Sequence, residues 1–482
     1  MTTLATAKAK DEELTNRFAS KMEVNIGLKR TLVSFQANKT AEGYRWFKYK
    51  EGFSAQLLHY LFRHLGIESG KILDPFAGAG TTLFVASQLG IDSVGIELLP
   101  IGQEIIEARK SALNGNREAV VQATKHWRES RPWKKTSAKA QFPHLRITQG
   151  AFPSETEDAL CCFLLELKNE QNDAVRKILR FAALCVLEQI SFTRKDGQYL
   201  RWDYRSGRKQ GATPFDKGRI ESFDAAIDTK LKEIIDDLGG DVGLLDLFPT
   251  GKNYGEIEMI GGSCLEVLPK LETHSFDGLI TSPPYCNRYD YTRTYALELA
   301  LLGVGEDGLK NLRQAMVSCT VENREKQGLL SLFDESRFRK ARETFEGQSC
   351  LASILDYLEE RKAAGLLNNP GIPRMVRNYF WEMALVIFEC ARVLKPGAPL
   401  VMVNDNVRYD GANISVDLIL SDIAQSAGFE IEKIWVLPTG KGNSSQQMGE
   451  FGRESLRKCV YIWRAAKVKQ ARKPSRELAH QP

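Results

Sequence analysis

The sequence predicts an α/β protein: a mostly parallel, doubly wound sheet with an antiparallel edge, carrying helical insertions. Three observations predict it. Short apolar strands alternate with helices of crossover length. One such strand, "KILD", runs through "PFAGAG" directly into a helix. The last two strands follow one another through a loop with no helix between them, which sets an antiparallel pair on one flank.

The elements fall in two α/β parts. In the first, "KILDPFAGAG" is a strand ending in a Gly-rich turn. "TTLFVASQLG" is a helix with a threonine at its start and Gly90 as its C-terminal cap. "IDSVGIEL" is the next strand, and "PIGQEIIEARKSAL" the next helix, with proline in its first turn. In the second part, "IEMIGG" and "FDGLIT" are buried strands. "NYFWEMALVIFECARVLK" is a helix with a strong apolar stripe, stopped by Pro396-Gly397. "PLVMVND" is a core strand and "ISVDLILSDIAQSAG" a helix, with "EIEKIWVL" and "KCVYIWR" the closing strands.

Helical periodicity fills the intervals. "EDALCCFLLELK" and "AVRKILRFAALCVLEQI" are apolar at helical spacing. The chain thus divides into an N-terminal segment (1–43), a first α/β part (44–114), a mainly helical insertion (115–255), a short part carrying "TSPPY" (256–304), a second helical insertion (305–370), a last α/β part (371–466) and a basic tail (467–482).

Bulk properties exclude several classes. With 482 residues, 43% hydrophobic and 26% charged, the chain has ordinary globular composition and room for a large core. It has no run of about 18 apolar residues and no signal-peptide core, so a soluble cytoplasmic protein without membrane contact is expected. The nine cysteines are scattered with no C-x-x-C pair, which predicts buried free thiols and no metal site. The net charge of +5 is a mild basic excess. Basic residues interleave with aromatics around Arg201 and Arg205, beside Tyr199, Trp202 and Tyr204, a mixture suited to nucleic acid.

Two short stretches carry chemistry. In "ILDPFAGAGTT", Gly78 and Gly80 end a buried strand and let the backbone approach a ligand. Glu97, 23 residues past Asp74, ends the next strand, where a carboxylate accepts from ribose hydroxyls. The third glycine of a dinucleotide fingerprint is replaced by Leu83. Asp74 would repel a pyrophosphate but suits an ammonium. S-adenosylmethionine, with an ammonium, a sulfonium and a ribose but no phosphate, fits Asp74 and Glu97 better than NAD.

The second stretch is Ser282-Pro283-Pro284-Tyr285, at the end of a buried strand. Two prolines stiffen the chain and leave carbonyls free to accept. The Ser282 hydroxyl adds an acceptor and Tyr285 a flat face. Together they form a socket for a planar group bearing –NH₂. Accepting both amino hydrogens draws the nitrogen lone pair out of ring conjugation, ready to attack an electrophilic methyl.

"DPFAGAGTT" and "TSPPY" resemble motifs of the bacterial DNA amino-methyltransferases, which methylate cytosine N4 or adenine N6. The resemblance covers the two α/β parts and implies a class I, Rossmann-like methyltransferase fold that uses S-adenosyl-L-methionine. By that likeness Asp74, Gly78 and Gly80 hold the methionine end, Pro75, Phe76 and Thr81 also bind the cofactor, Glu97 holds the ribose, and Ser282 to Tyr285 the target base. "YKEGFSAQLL" is similar to a further cofactor motif, adding Phe53 and Ser54. The substrate implied is double-stranded DNA with the reactive base flipped out, the enzyme acting beside a cognate restriction endonuclease or alone. Serine in "TSPPY" is more typical of N4-cytosine enzymes.

The sequence departs from the family twice. Ser263 stands where an acidic residue usually follows the third strand, near the adenine ring. The long insertion 115–255 precedes that strand, and is taken as the target-recognition region. Arg201 and Arg205 are its expected DNA contacts, joined by Arg288 in "NRYDYTRTY" and by Lys441 and Arg453 in "TGKGNSSQQMGEFGRESLRK". C5 methylation is disfavoured because Cys286 follows Tyr285 rather than a proline. The alternatives are an RNA base amino-methyltransferase, for which no RNA-binding module is evident, a protein-glutamine methyltransferase, which favours "NPPY", and a catalytically silent DNA-binding relative.

Overall fold

A computed structural model describes residues 2–114, 117–136, 141–196, 199–211, 213–239, 254–438, 451–452 and 454–467. The first strands along the chain are β1 (Met22–Val24), β2 (Lys71–Asp74), β3 (Asp92–Glu97), β4 (Thr193–Asp196) and β5 (Tyr199–Trp202). They are followed by β6 (Ile257–Gly261), β7 (Gly278–Thr281), β8 (Pro399–Asp405), β9 (Val407–Tyr409), β10 (Ala412–Ile414), β11 (Phe429–Val436) and β12 (Lys458–Ala465). Eight of them form one sheet in the order β1-β11-β12-β8-β7-β2-β3-β6.

Strands β6, β3, β2, β7 and β8 run parallel. β12 is antiparallel to both β8 and β11. The antiparallel pairing lies on the expected flank, but β12 is threaded between β8 and β11, and β1, parallel to β11, forms the outermost strand. The stretch before residue 44 therefore contributes to the sheet.

Core strands are apolar throughout because helices cover both faces. Alternation still decides which face each side chain meets. Ile72, Ile280 and Val401 enter one apolar layer, while Leu73, Leu279 and Leu400 enter the other. The helix Ile372–Val393 packs its broad apolar surface on the second layer and returns the chain to β8.

The helix Thr81–Gln88 is capped by Gly80 in the left-handed region (φ 76°), not by a threonine side chain. The Thr82 hydroxyl instead donates to Asp74. A Cβ at Gly80 would stand 2.7 Å from Ile106, so this glycine serves a tight turn and close helix packing. Gly90 (φ 75°) ends the helix as expected.

The 115–255 insertion lies between the helix Pro100–Asn114 and β6. It holds the helices Arg117–Ser130, Ser154–Glu166, Asp173–Ile190 and Phe223–Gly239, with β4 and β5 as a hairpin. The 305–370 region adds the helices Glu306–Ala315, Glu335–Glu346 and Ser349–Ala363. The chain winds from β2 out to β3 and β6 on one side, and β7 and β8 lie on the other. A crevice opens where the direction reverses, outside the C-terminal strand ends. Among the described residues no helix is long and apolar enough to cross a membrane.

Candidate functional site

A cavity of about 340 Å³ opens at the C-terminal ends of β2, β3, β6, β7 and β8. It brings together Asp74, Pro75, Phe76, Gly78, Thr81, Glu97 and Phe53 on one side with Ser282, Pro283, Pro284 and Tyr285 on the other. The two sequence motifs thus face one space.

The glycine-loop side is built on two buried carboxylates. Asp74 is 2% exposed and accepts from the Thr281 hydroxyl at 2.6 Å, the Thr82 hydroxyl at 2.7 Å and the Phe76 N–H at 3.1 Å. Burial pushes its pKa up to about 6, against the pull of those donors. Glu97 accepts from the N–H of Gly78 and of Leu99, each at 2.7 Å. Burial pushes it up to about 7, opposed by the same backbone donors. Each Glu97 oxygen accepts one of these bonds, which leaves capacity for a second donor on each. Gly78 (φ 54°) holds the loop close to the Tyr49 ring, which a Cβ would approach to 3.1 Å.

The opposite side is rigid and rich in acceptors. The Ser282 hydroxyl donates to the Val403 carbonyl at 3.1 Å and lies 3.3 Å from the Tyr285 hydroxyl. With its proton directed at Val403, its lone pairs are free to accept. Cys286, next along, is fully buried, and burial raises its thiol pKa well above the ordinary value. Such a thiol is no nucleophile.

Two expected residues lie outside the cavity lining. Gly80 caps the helix Thr81–Gln88, as described above. Ser54 is fully buried, donates to the Leu32 carbonyl at 2.6 Å and caps the helix Ala55–Leu65 through the Leu57 N–H. Both support the wall without facing the space.

The expected DNA contacts are dispersed. Arg201 is half exposed, 4.2 Å over the Phe215 ring and 3.6 Å from Asp196. Arg205 is held in a fork by the buried Asp203, at 2.7 and 2.9 Å, and donates to the Gly218 carbonyl. Arg288 sits in the left-handed region (φ 66°) between Asn287 and Tyr289, both of which line the cavity. Its guanidinium reaches Asn368 at 3.3 Å. Lys441 and Arg453 lie outside the described residues.

Several lining residues went unassigned in the sequence. Tyr49 stacks on Tyr295 with ring centroids 5.3 Å apart. Met316 and Val317, from the loop after the helix Glu306–Ala315, wall the end near Gly262 and Ser263. Ser263 donates to the Ala315 carbonyl at 2.7 Å, so its hydroxyl serves that loop. Asp405 and Lys458 close the far end beside Tyr285. Only Tyr49 left a local signal, lying within "YKEGFSAQLL"; the rest arrive through distant chain crossings.

Comparison with known proteins agrees with this geometry. A family model described as a DNA methylase matches residues 8–108, which include the glycine loop and Glu97. Type II methyltransferase M.AvaI of Nostoc sp. is 53% identical over 455 residues, 94% of this chain and 93% of that protein. Type II methyltransferase M.BsoBI of Geobacillus stearothermophilus is 44% identical over 454 residues, 90% of this chain and 88% of that protein. With likeness of this degree along nearly its whole length, and with both motifs on one cavity, the chain belongs to the DNA amino-methyltransferase family, alongside the type II methyltransferases.

Proposed function

We propose that this chain transfers a methyl group from S-adenosyl-L-methionine to N4 of a flipped cytosine at a specific site in double-stranded DNA. The observation that carries it is the single cavity shared by Asp74, Glu97 and Ser282 to Tyr285.

The donor set fits the cofactor. When bound, S-adenosylmethionine supplies an electrophilic methyl on its sulfonium. The Asp74 and Glu97 carboxylates favour its positive end, and the spare acceptor capacity of Glu97 suits ribose hydroxyls. Leu98, Leu99, Met316 and Val317 offer apolar walls to the adenine ring. Family membership supports the same donor.

On the base side, Ser282 Oγ and the carbonyls of the proline pair accept from the exocyclic amine, and Tyr285 stacks on the ring. Removing the amine lone pair from conjugation lowers the barrier to attack on the methyl. Water is kept from the reacting atoms by the rings of Phe53, Tyr285 and Tyr289, which also line the cavity. Serine in place of Asp or Asn favours cytosine over adenine as target.

The 115–255 insertion is read as the target-recognition region. The half-exposed Arg201 over Phe215 and the exposed Arg194 next to it offer cations and an aromatic face to a DNA backbone. Working in the cytoplasm, the enzyme would protect DNA from a cognate restriction endonuclease. The test is to map methylated bases in host DNA with and without the chain. N4-methylcytosine at one short site is expected. Methylation confined to RNA, or no methylated DNA base from an enzyme that binds the cofactor, would overturn the reading.

A further inference from the structure

A charged pair stands at the base end of the cavity, in a wall otherwise made of serine, prolines and tyrosine. Lys458 opens β12 and lies directly opposite Asp405, the last residue of β8. Its ammonium is 2.7 Å from the Asp405 carboxylate and 3.4 Å from the Tyr285 hydroxyl. It also sits 5.2 Å from the centre of the Tyr285 ring. Its side chain is 18% exposed, so the charge is largely withdrawn from water.

Two lysines line the cavity among the described residues. Lys50 donates to the Lys195 carbonyl. That leaves Lys458 as the cation of the base end. Burial works against its charge, but Tyr285 and Asp405 outweigh this and hold it protonated. An ammonium has three N–H donors. Asp405 pairs with its charge and the Tyr285 hydroxyl accepts one N–H, which leaves donor capacity for whatever occupies the pocket.

The candidates for that donor differ between the two bases. Beside its amino group a cytosine carries two acceptors, ring N3 and carbonyl O2. On the matching Watson–Crick edge adenine carries one, N1, followed by the C2–H, while its N7 lies on the other side of the amino group. Ser282 Oγ is linked to Lys458 through the Tyr285 hydroxyl by steps of 3.3 and 3.4 Å. A pyrimidine edge with its amine on Ser282 can reach across that span. We propose that Lys458 is a specificity-determining residue: fixed by Asp405 and Tyr285, its ammonium donates to the O2 carbonyl of the flipped cytosine, an acceptor that adenine lacks. A buried donor facing a C–H would be left unpaired, which penalises adenine.

This rests on the reading that Ser282 to Tyr285 hold the target amine of a cytosine. The test starts from the mapped site. Two duplexes are made, one with cytosine at the modified position and one with adenine there, opposite the same guanine. Wild type, Lys458→Met and Lys458→Arg are compared by single-turnover rate on both, with S-adenosylmethionine affinity measured as the control for an intact fold. Lys458→Met is expected to lower the rate on cytosine about 10- to 100-fold, leave the rate on adenine unchanged or higher, and so collapse the preference. Lys458→Arg is expected to keep it. If Lys458→Met slows both bases equally with cofactor binding intact, the lysine merely neutralises Asp405 and the proposal falls while the enzymatic reading stands. If Lys458→Met fails to bind cofactor, Lys458→Leu replaces it beside Lys458→Arg, and an undiminished preference in Lys458→Leu, which has no donor, overturns it. If the mapped base is adenine, the cytosine reading fails first and takes this inference with it.

Discussion

Thr281 donates its hydroxyl to Asp74 across 2.6 Å, joining the strand that ends in the Ser282–Tyr285 turn to the strand that ends in the glycine loop. Backbone pairing between β2 and β7 stops at Leu73 and Leu279. Beyond it the Thr281–Asp74 side-chain bond continues the link between the two strand ends. Thr281 is also the "T" of "TSPPY", so one residue of that motif is a partner of the first residue of "DPFAGAGTT".

Thr281→Val keeps the shape and removes that donor. Asp74, fully desolvated, keeps only Thr82 and the Phe76 N–H. A loss of about 1–3 kcal/mol is expected, read as a melting temperature lowered by a few degrees. Cofactor affinity should fall as well, because losing a donor makes the Asp74 carboxylate harder to ionise. A variant with wild-type melting and wild-type affinity would show that the bond does neither.

The two carboxylates give opposite pH trends for stability and binding. Asp74 and Glu97 have folded-state pKa values near 6 and 7, above their ordinary values. The folded chain therefore binds more protons than the unfolded chain between about pH 4 and pH 7, and these groups lower stability as pH rises through that window. A cationic cofactor prefers the ionised forms, so its affinity should rise over the same window and level off above about pH 7. Denaturant titrations and calorimetry on the same samples would check both slopes. Affinity that falls with rising pH would contradict the placing of Asp74 by the cofactor's positive end and of Glu97 by its ribose.

Ser282→Ala removes an acceptor from the wall opposite Asp74 and Glu97. The rate of methyl transfer should drop about 100-fold, with cofactor affinity within about twofold of wild type. Single-turnover kinetics beside a cofactor titration separate the two. Equal loss of both would mean that the serine belongs to the cofactor wall.

Arg201 and Arg205 should behave differently although only three residues separate them. Arg201→Glu is expected to weaken DNA binding about 10-fold at low salt, with less effect as salt rises, and to leave melting unchanged. Arg205→Ala should instead lower the melting temperature, because Asp203 is buried and loses its forked partner. Filter binding and thermal melts on both variants test the division.

Much of this was legible in the sequence. The core strands and the helices beside them announce themselves through apolar runs and period, and the two motifs through glycine, proline and one acid each. Gly78 and Gly80 look alike in "GAG", yet only Gly78 faces the cavity. What separates them is Ile106, a residue one helix away that fills the space a Cβ at Gly80 would need. The threading of β12 was hidden for a similar reason, since hydrophobic alternation reports burial and not which neighbours supply it. Lys458 and Asp405 were silent because each is an ordinary charged residue at a strand end. Only the register that sets them face to face makes them a pair.

That threading bears on how the molecule is made. A chain leaving the ribosome has β8 and β11 ready while the strand that belongs between them is still being synthesised. Until Lys458–Ala465 arrives, both present bare hydrogen-bonding edges. Truncations just ahead of Lys458 should therefore yield aggregates rather than a smaller folded enzyme. An unfinished copy thus lacks both a continuous sheet and the Lys458 that closes one end of the cavity until that strand is in place.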